Sequence, residues 1–301
     1  MNGLYDRPEL SLLVTDSGLG GLSIFAALER AFRRHRPFRA VTMTYFNAWP
    51  DQGQGYNNLP DMTERARVFN QALRSMAKFR PDLILIACNT LSVIYPYTRF
   101  SRTTRKRVQG IVDLGVEMIR GRMQALPGSR VILFATPTTI EGDAHRAGLV
   151  AAGIAAERIV PLACPGLAGR IENDPTSLEV SSLIDRCCRE AGARLQRGGP
   201  VLAALCCTHF GYCRGSFRES LARHCGEGVE ILDPNEAMVQ AVLEGMPAER
   251  GGGTAMALRV VSRVPWEYRQ LEKMIPVVEQ ISKPTAIALA AYEHRPDLFT
   301  F

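Results

Sequence analysis

Two short stretches constrain this chain more than any others. Leu83–Thr90 reads LILIACNT and Val201–Phe210 reads VLAALCCTHF. In each, an unbroken apolar run stops at groups that donate, accept or ionise. Apolar runs without alternation suit strands covered on both faces, as in a parallel sheet. The expected strands are Leu10–Val14, Ala40–Phe46, Leu83–Ala87, Arg107–Val112, Arg130–Phe134, Arg158–Leu162, Val201–Leu205 and Val229–Leu232. Helical stretches fit between them at about Leu22–Arg34, Thr63–Lys78, Asp143–Ala152, Leu178–Leu195 and Pro234–Glu244. This alternation implies βαβ units and an α/β fold with mainly parallel sheets. A chain of 301 residues has room for two of them. Crossings from one to the other are expected near Val112–Leu114 and Leu232–Pro234, and a flexible loop at Ala248–Gly253.

The bulk numbers exclude several classes. Apolar residues make up 46% and charged residues 22%, the balance of a globular protein rather than a disordered one. No apolar stretch is long enough to span a bilayer, and MNGLYDRPEL lacks a signal peptide's basic start and apolar core. The eight cysteines include the neighbours Cys187–Cys188 and Cys206–Cys207 and fall partly inside apolar segments. That is the pattern of buried thiols in a reducing, cytoplasmic protein, not of a disulfide scaffold. The net charge of +6 sits largely in clusters such as Arg30–Arg36 and Arg102–Arg107. These read first as solvated helix ends and loops, so no nucleic-acid partner is expected, and no membrane partner either.

In open α/β sheets, ligands bind at the carboxyl ends of the strands. Three polar segments fall at such ends: Thr15-Asp16-Ser17-Gly18, Cys88-Asn89-Thr90 and Cys207-Thr208-His209. The glycines at 18, 20 and 21 permit a tight turn and close backbone approach, and N–H groups there could hold an anion. GLGGL is nevertheless not a complete dinucleotide fingerprint, and no Walker lysine follows. Cys206, Cys207, His209 and Cys213 lack the paired spacing of a closed zinc site. No metal or other cofactor is expected.

Taken together, DSGLGGL, ACNT and CCTHF resemble the motifs of the glutamate racemases, in the aspartate/glutamate racemase superfamily, in the same order and at similar separations. ATPTTI at Ala135–Ile140 and CPGLAGRIE at Cys164–Glu172 also resemble family segments, so the likeness covers roughly Leu12 to Pro234. It implies two pseudo-symmetric α/β domains facing across a central cleft, one formed by residues 1–112 plus 233–301 and the other by 113–232. It implies cofactor-independent racemisation of an amino acid, with glutamate first because the second triplet is CTH. The setting it implies is a cytoplasmic homodimer supplying D-glutamate for peptidoglycan, hence for cell-wall biogenesis and cell shape.

Racemisation takes a proton from one face of the α-carbon and returns one to the other. Two thiols on opposite walls suit this, because a modest shift from cysteine's usual pKa of about 8.5 sets either protonation state. The resemblance assigns the two acid/base roles to Cys88 and Cys207, with Asp16 assisting the first, His209 the second, and Glu172 supporting His209. It assigns substrate contacts to Ser17, Asn89, Thr90, Thr139 and Thr208; the family's substrate-contacting Tyr-Gly pair either aligns with Tyr56-Asn57 or is lost and replaced by Gln54-Gly55. Hydroxyls and amides suit that task because they bind without bringing competing charge.

The chain departs from the family pattern on one side. Thr44–Pro60 reads TYFNAWPDQGQGYNNLP, with Asn47-Ala48 where the family has Gly-Asp; His145 replaces a usual tyrosine, and the tail from Leu258 to Phe301 is extended. Two alternatives stay open. One is racemisation of another amino acid or a hydantoin, and the other is a non-catalytic, ligand-binding descendant.

Overall fold

The computed structural model describes residues 5–195, 198–244, 246 and 253–301. The first half runs β1 (Glu9–Asp16), α1 (Leu22–His35), β2 (Ala40–Asn47), α2 (Met62–Lys78), β3 (Leu83–Ile86), α3 (Asn89–Ile94), α4 (Arg99–Thr103), β4 (Arg107–Gly110) and α5 (Ile111–Ala125). Then come β5 (Arg130–Ala135), α6 (Pro137–Glu141), α7 (Ala144–Ala151), β6 (Ile159–Ala163), α8 (Leu167–Asn173), α9 (Leu178–Arg194), β7 (Val201–Cys206), α10 (Arg214–Cys225) and β8 (Glu230–Leu232). The chain closes with α11 (Pro234–Leu243), β9 (Ala255–Ser262), α12 (Tyr268–Glu279), α13 (Lys283–Ala290) and β10 (Glu293–His294).

The strands form a six-stranded sheet ordered β10-β9-β2-β1-β3-β4 and a four-stranded sheet ordered β6-β5-β7-β8. Every strand pairing in both is parallel. The apolar runs are covered on both faces, as their lack of alternation implies. On β1, Leu12 and Val14 join one core while Leu13 joins the opposite one; on β3, Leu83 and Leu85 face one way and Ile84 and Ile86 the other. The second sheet repeats this, with Ile132 and Phe134 in one core and Val131 and Leu133 in another. Each fully buried side chain of this size contributes on the order of 2 kcal/mol of burial free energy.

The expected strand Arg107–Val112 is corrected. Pairing with β3 ends at Gly110, the N-cap of α5, and the Ile111 N–H donates to the Ser92 hydroxyl at 3.1 Å. Ile111 and Val112 are apolar because they are buried in the first turn of a helix, not because they extend a strand. α5 then passes from a core of the first sheet, which holds Ile111, to a core of the second sheet, which holds Ile119 and Met123. The loop expected at 248–253 lies outside the described residues except for Gly253. The tail is structured: β9 pairs along the whole of β2, and Met274, Val278 and Leu289 complete the first core. Among the described residues, no helix is long and apolar enough to cross a membrane.

Candidate active site

The carboxyl ends of β1, β3, β5 and β7 converge on one cavity of about 740 Å³, lined from both sheets. Asp16 is the last residue of β1, Cys88 follows β3, Thr136 follows β5 and Cys207 follows β7. Asp16, Ser17, Asn57, Cys88, Asn89, Thr90, Glu172, Cys207, Thr208 and His209 all line it. Two expected contacts do not. Tyr56 is buried with its ring edge-on to Phe69 and its hydroxyl unpaired, and Thr139 lies behind Thr90 and Thr136.

The glycine loop after β1 is shaped by the second half of the molecule. A Cβ on Gly18, whose φ is +149°, would sit 2.3 Å from Glu172 Oε2. One on Gly20 would sit 2.3 Å from Thr208 Oγ1 and 2.7 Å from His209 Nδ1. The loop is therefore bare so that Glu172, Thr208 and His209 can close against it. Tyr45 pins it by donating to Gly18 O at 2.7 Å, and Tyr212 does so by donating to Leu19 O at 3.1 Å.

The two thiols have different surroundings. Cys88 Sγ lies 3.3 Å from Ser17 Oγ. Burial, reinforced by the Asp16 charge, pushes the Cys88 thiol well up, so the protonated form is favoured. Asp16 is itself fully buried; it accepts from Thr208 Oγ1 at 2.8 Å and from the Ser17 N–H at 2.6 Å. Burial raises its carboxyl, offset in part by His209 and the Thr208 hydrogen bond. The Thr208 contact ties the first sheet to the second at the floor of the cavity.

Cys207 Sγ lies 3.9 Å from His209 Nδ1, and His209 Nε2 lies 2.7 Å from Glu172 Oε2. Burial disfavours the imidazolium, but the hydrogen bonds with Cys207 and Glu172 outweigh it and hold His209 well above the ordinary histidine value. The Glu172 carboxylate is fully engaged: Oε2 also accepts from the Leu19 N–H at 2.9 Å, and Oε1 from Gln270 Nε2 at 3.0 Å.

Asn89 presents both its amide nitrogen and its oxygen, buried and with no protein partner. An unsatisfied buried polar atom costs about 1–3 kcal/mol, so this side chain is arranged to bond something entering the cavity. The hydroxyls of Thr90, Thr136 and Thr139 form a closed triangle at 2.8–3.2 Å that fixes Thr90 beside it. Among the described residues, no group of three or more His, Cys, Asp or Glu is placed to hold a metal ion.

A family model described as Asp/Glu/Hydantoin racemase matches residues 13–242. The chain belongs to that family. It is thus a racemase, an isomerase. The glutamate racemase of Vibrio cholerae is 27% identical over 271 residues, covering 86% of this chain and 90% of that one. That of Chlorobaculum parvum is 24% identical over 270 residues, covering 87% and 90%. Among solved structures, the racemase superposes on the Thermus thermophilus glutamate racemase in complex with beta-chloro-D-alanine (TM-score 0.66, 20% identity, 96% and 98% covered). It also superposes on the Francisella tularensis glutamate racemase in complex with D-glutamate (TM-score 0.64, 19% identity, 92% and 94% covered). At those identities the structural likeness speaks for the fold.

Several cavity residues of this racemase carry no signal in a strand-end reading. Gln270 and Trp266 come from the tail, Trp49 from the divergent tract after β2, and Arg170 from α8. Only proximity in the folded chain marks them. Asn47, singled out as a departure, lines the cavity but is already committed, donating to Ser262 Oγ at 2.9 Å and accepting from the Trp49 N–H at 3.1 Å.

Proposed function

We propose that this racemase interconverts L- and D-glutamate by a two-base mechanism, with Cys88 and Cys207 as the acid/base pair. The observation that carries the reading is that both sulfurs, one from each sheet, line a single cavity. In one direction a thiolate takes the α-proton, leaving a carbanion delocalised into the carboxylate, and the opposite thiol delivers its proton to the other face. In the reverse direction the two exchange roles. His209, its Nδ1 3.9 Å from the Cys207 sulfur, assists proton movement on that side, while Glu172 orients the ring. Ser17 and Asp16 serve the Cys88 side. Asn89, Thr90 and Thr208 offer donors and acceptors to the substrate's carboxylate and ammonium groups, with Asn57 at the rim. Glutamate is favoured by the Cys-Thr-His triplet and by the relatives, which are glutamate racemases.

On the same reading, residues 1–112 with 233–301 form one domain and 113–232 the other, in a cytoplasmic homodimer supplying D-glutamate for peptidoglycan. A second reading, a bulkier amino acid, is favoured by one observation: both tryptophans of the chain, Trp49 and Trp266, line the cavity beside Val264 and Pro265. A panel of single-enantiomer amino acids incubated with the protein in deuterated water separates the two. Fastest α-deuteration and loss of optical activity with glutamate supports the first, and preference for an aromatic or branched side chain supports the second. Exchange with none overturns both.

A further inference from the structure

The charge of this chain is not spread over its surface. Residues 30–39 and 74–107 hold 13 of its 36 Lys and Arg but only one of its 30 Asp and Glu, Asp82. Those segments carry a net +12 against +6 for the whole chain, so all other residues together carry −6.

The fold then brings nine of these 13 cations to one end of the six-stranded sheet. Its strands are parallel, so each strand start, and each helix end leading into one, lies at the pole opposite the cavity. Arg33 and Arg34 end α1, and Arg36 and Arg39 lead into β2. Lys78 ends α2 and Arg80 leads into β3, while Arg105 and Lys106 lead into β4, which starts at Arg107. All of these side chains are exposed. Contacts tie neighbouring strand starts: Lys106 Nζ donates to Pro81 O at 3.2 Å between the approaches to β4 and β3, and Arg39 reaches Glu9 at the start of β1 at 2.7 Å. Of the carboxylates at this pole, Glu29 is held by Arg33, Glu9 by Arg39 and Asp82 by Arg7, while Glu244 follows α11 and Glu279 ends α12. Cations at helix ends do complement the helix dipole, but that does not account for Arg105, Lys106 and Arg107 at the start of an edge strand.

We infer that this pole is a docking surface for the phosphate backbone of duplex nucleic acid, bound without regard to sequence. Seven of these nine cations are Arg, whose planar fork matches phosphate oxygens. They are carried on rigid helix ends and strand starts, which suits a stiff polyanion. A lipid surface would call for apolar anchors beside the charges, and within these segments the one exposed large apolar side chain is Tyr97. Along the chain the clusters are separate solvated ends, and only the parallel topology gathers them. This inference is independent of the reaction, because it uses the opposite end of the sheet.

The test is fluorescence anisotropy of a labelled duplex of about 30 base pairs with the full chain, from about 50 to 200 mM salt. Binding should weaken steeply with salt, with a slope of about −0.9 per phosphate neutralised. The triple variant Arg105→Glu, Lys106→Glu, Arg107→Glu should bind at least tenfold more weakly and reduce that slope by about 2 to 3. The pair Lys78→Glu, Arg80→Glu should act in the same direction. Racemase activity should be unchanged in both. Absence of binding at 50 mM salt would overturn the inference, as would equal weakening by Arg186→Glu, Arg189→Glu, Arg218→Glu in the second half, or tighter binding to phosphatidylglycerol vesicles than to the duplex.

Discussion

The two thiol walls of the cavity have the same scaffold but different chemistry. Each cysteine follows a parallel strand and opens a helical turn, Asn89–Ile94 in one case and Thr208–Cys213 in the other. Around Cys88 the neighbours are a hydroxyl and a buried carboxyl, and both burial and Asp16 favour the protonated thiol. Around Cys207 the neighbour is an imidazole, held above the ordinary histidine value by its hydrogen bonds with Cys207 and Glu172, and that carboxylate also accepts from the Leu19 N–H and from Gln270. Burial and Asp16 thus hold a proton on the Cys88 wall, while the Cys207 sulfur faces an imidazole backed by a carboxylate. The pair is pseudo-symmetric in backbone and asymmetric in electrostatics, and reversible racemisation needs only that each sulfur can take either role.

Removing either sulfur is the harshest way to break this comparison. Cys88→Ala and Cys207→Ala should each lower the rate of racemisation by about 10²–10⁴-fold, with far-UV circular dichroism unchanged. Residual activity within about tenfold of wild type in either variant would remove the two-base assignment.

The asymmetry itself is tested by Asp16→Asn and His209→Asn. Racemisation has an equilibrium constant of one, so kcat/KM must be equal in the two directions for every variant. Any difference between the walls must then appear as unequal kcat values with compensating KM values. Losses of about 10²-fold in kcat are expected, with the directional bias of the two variants opposite in sign. Biases of the same sign would contradict distinct roles for the walls.

A smaller effect should come from the tail. Gln270→Leu keeps the size of the side chain but leaves Glu172 Oε1 without its donor, a loss worth about 1–3 kcal/mol. About a tenfold fall in kcat with little change in KM is expected, and Gln270→Glu should not rescue it. A change confined to KM would instead place Gln270 among the substrate contacts.

The mildest test is thermodynamic. His209 titrates higher in the folded chain than its ordinary 6.5. Its stabilisation is therefore complete below about pH 6.5 and is lost as pH rises through the folded-state value. Urea unfolding of wild type and His209→Asn between about pH 6 and 10 should show a stability gap that narrows with rising pH. A gap that widens would mean that His209 is buried neutral.

Much of this site could be read from the sequence because its parts are local. An apolar run that ends in Cys-Asn-Thr or Cys-Thr-His marks both the strand and the group at its end. What could not be read is what arises between elements. Gly18 and Gly20 look like an anion loop, yet their lack of side chains makes room for Glu172, Thr208 and His209 from the other half. Tyr56 carries a hydroxyl suited to a substrate, but its ring is taken by Phe69. Ile111 and Val112 extend an apolar pattern and still begin a helix, because Gly110 caps it and Ser92 accepts the first N–H. Gln270 reaches the site from α12, nearly a hundred residues after Glu172, and no spacing rule marks it.

The central claim is that the α-proton leaves to one sulfur and a different proton arrives from the other. L-Glutamate incubated with the protein in deuterated water, stopped at low conversion, tests it directly by chirally resolved mass spectrometry. The D-glutamate formed should carry one deuterium at the α-carbon in nearly every molecule, while the recovered L-glutamate remains protiated. D-Glutamate that keeps the original protium would mean that a single base carries the proton across, and the opposed roles of Cys88 and Cys207 would have to be abandoned.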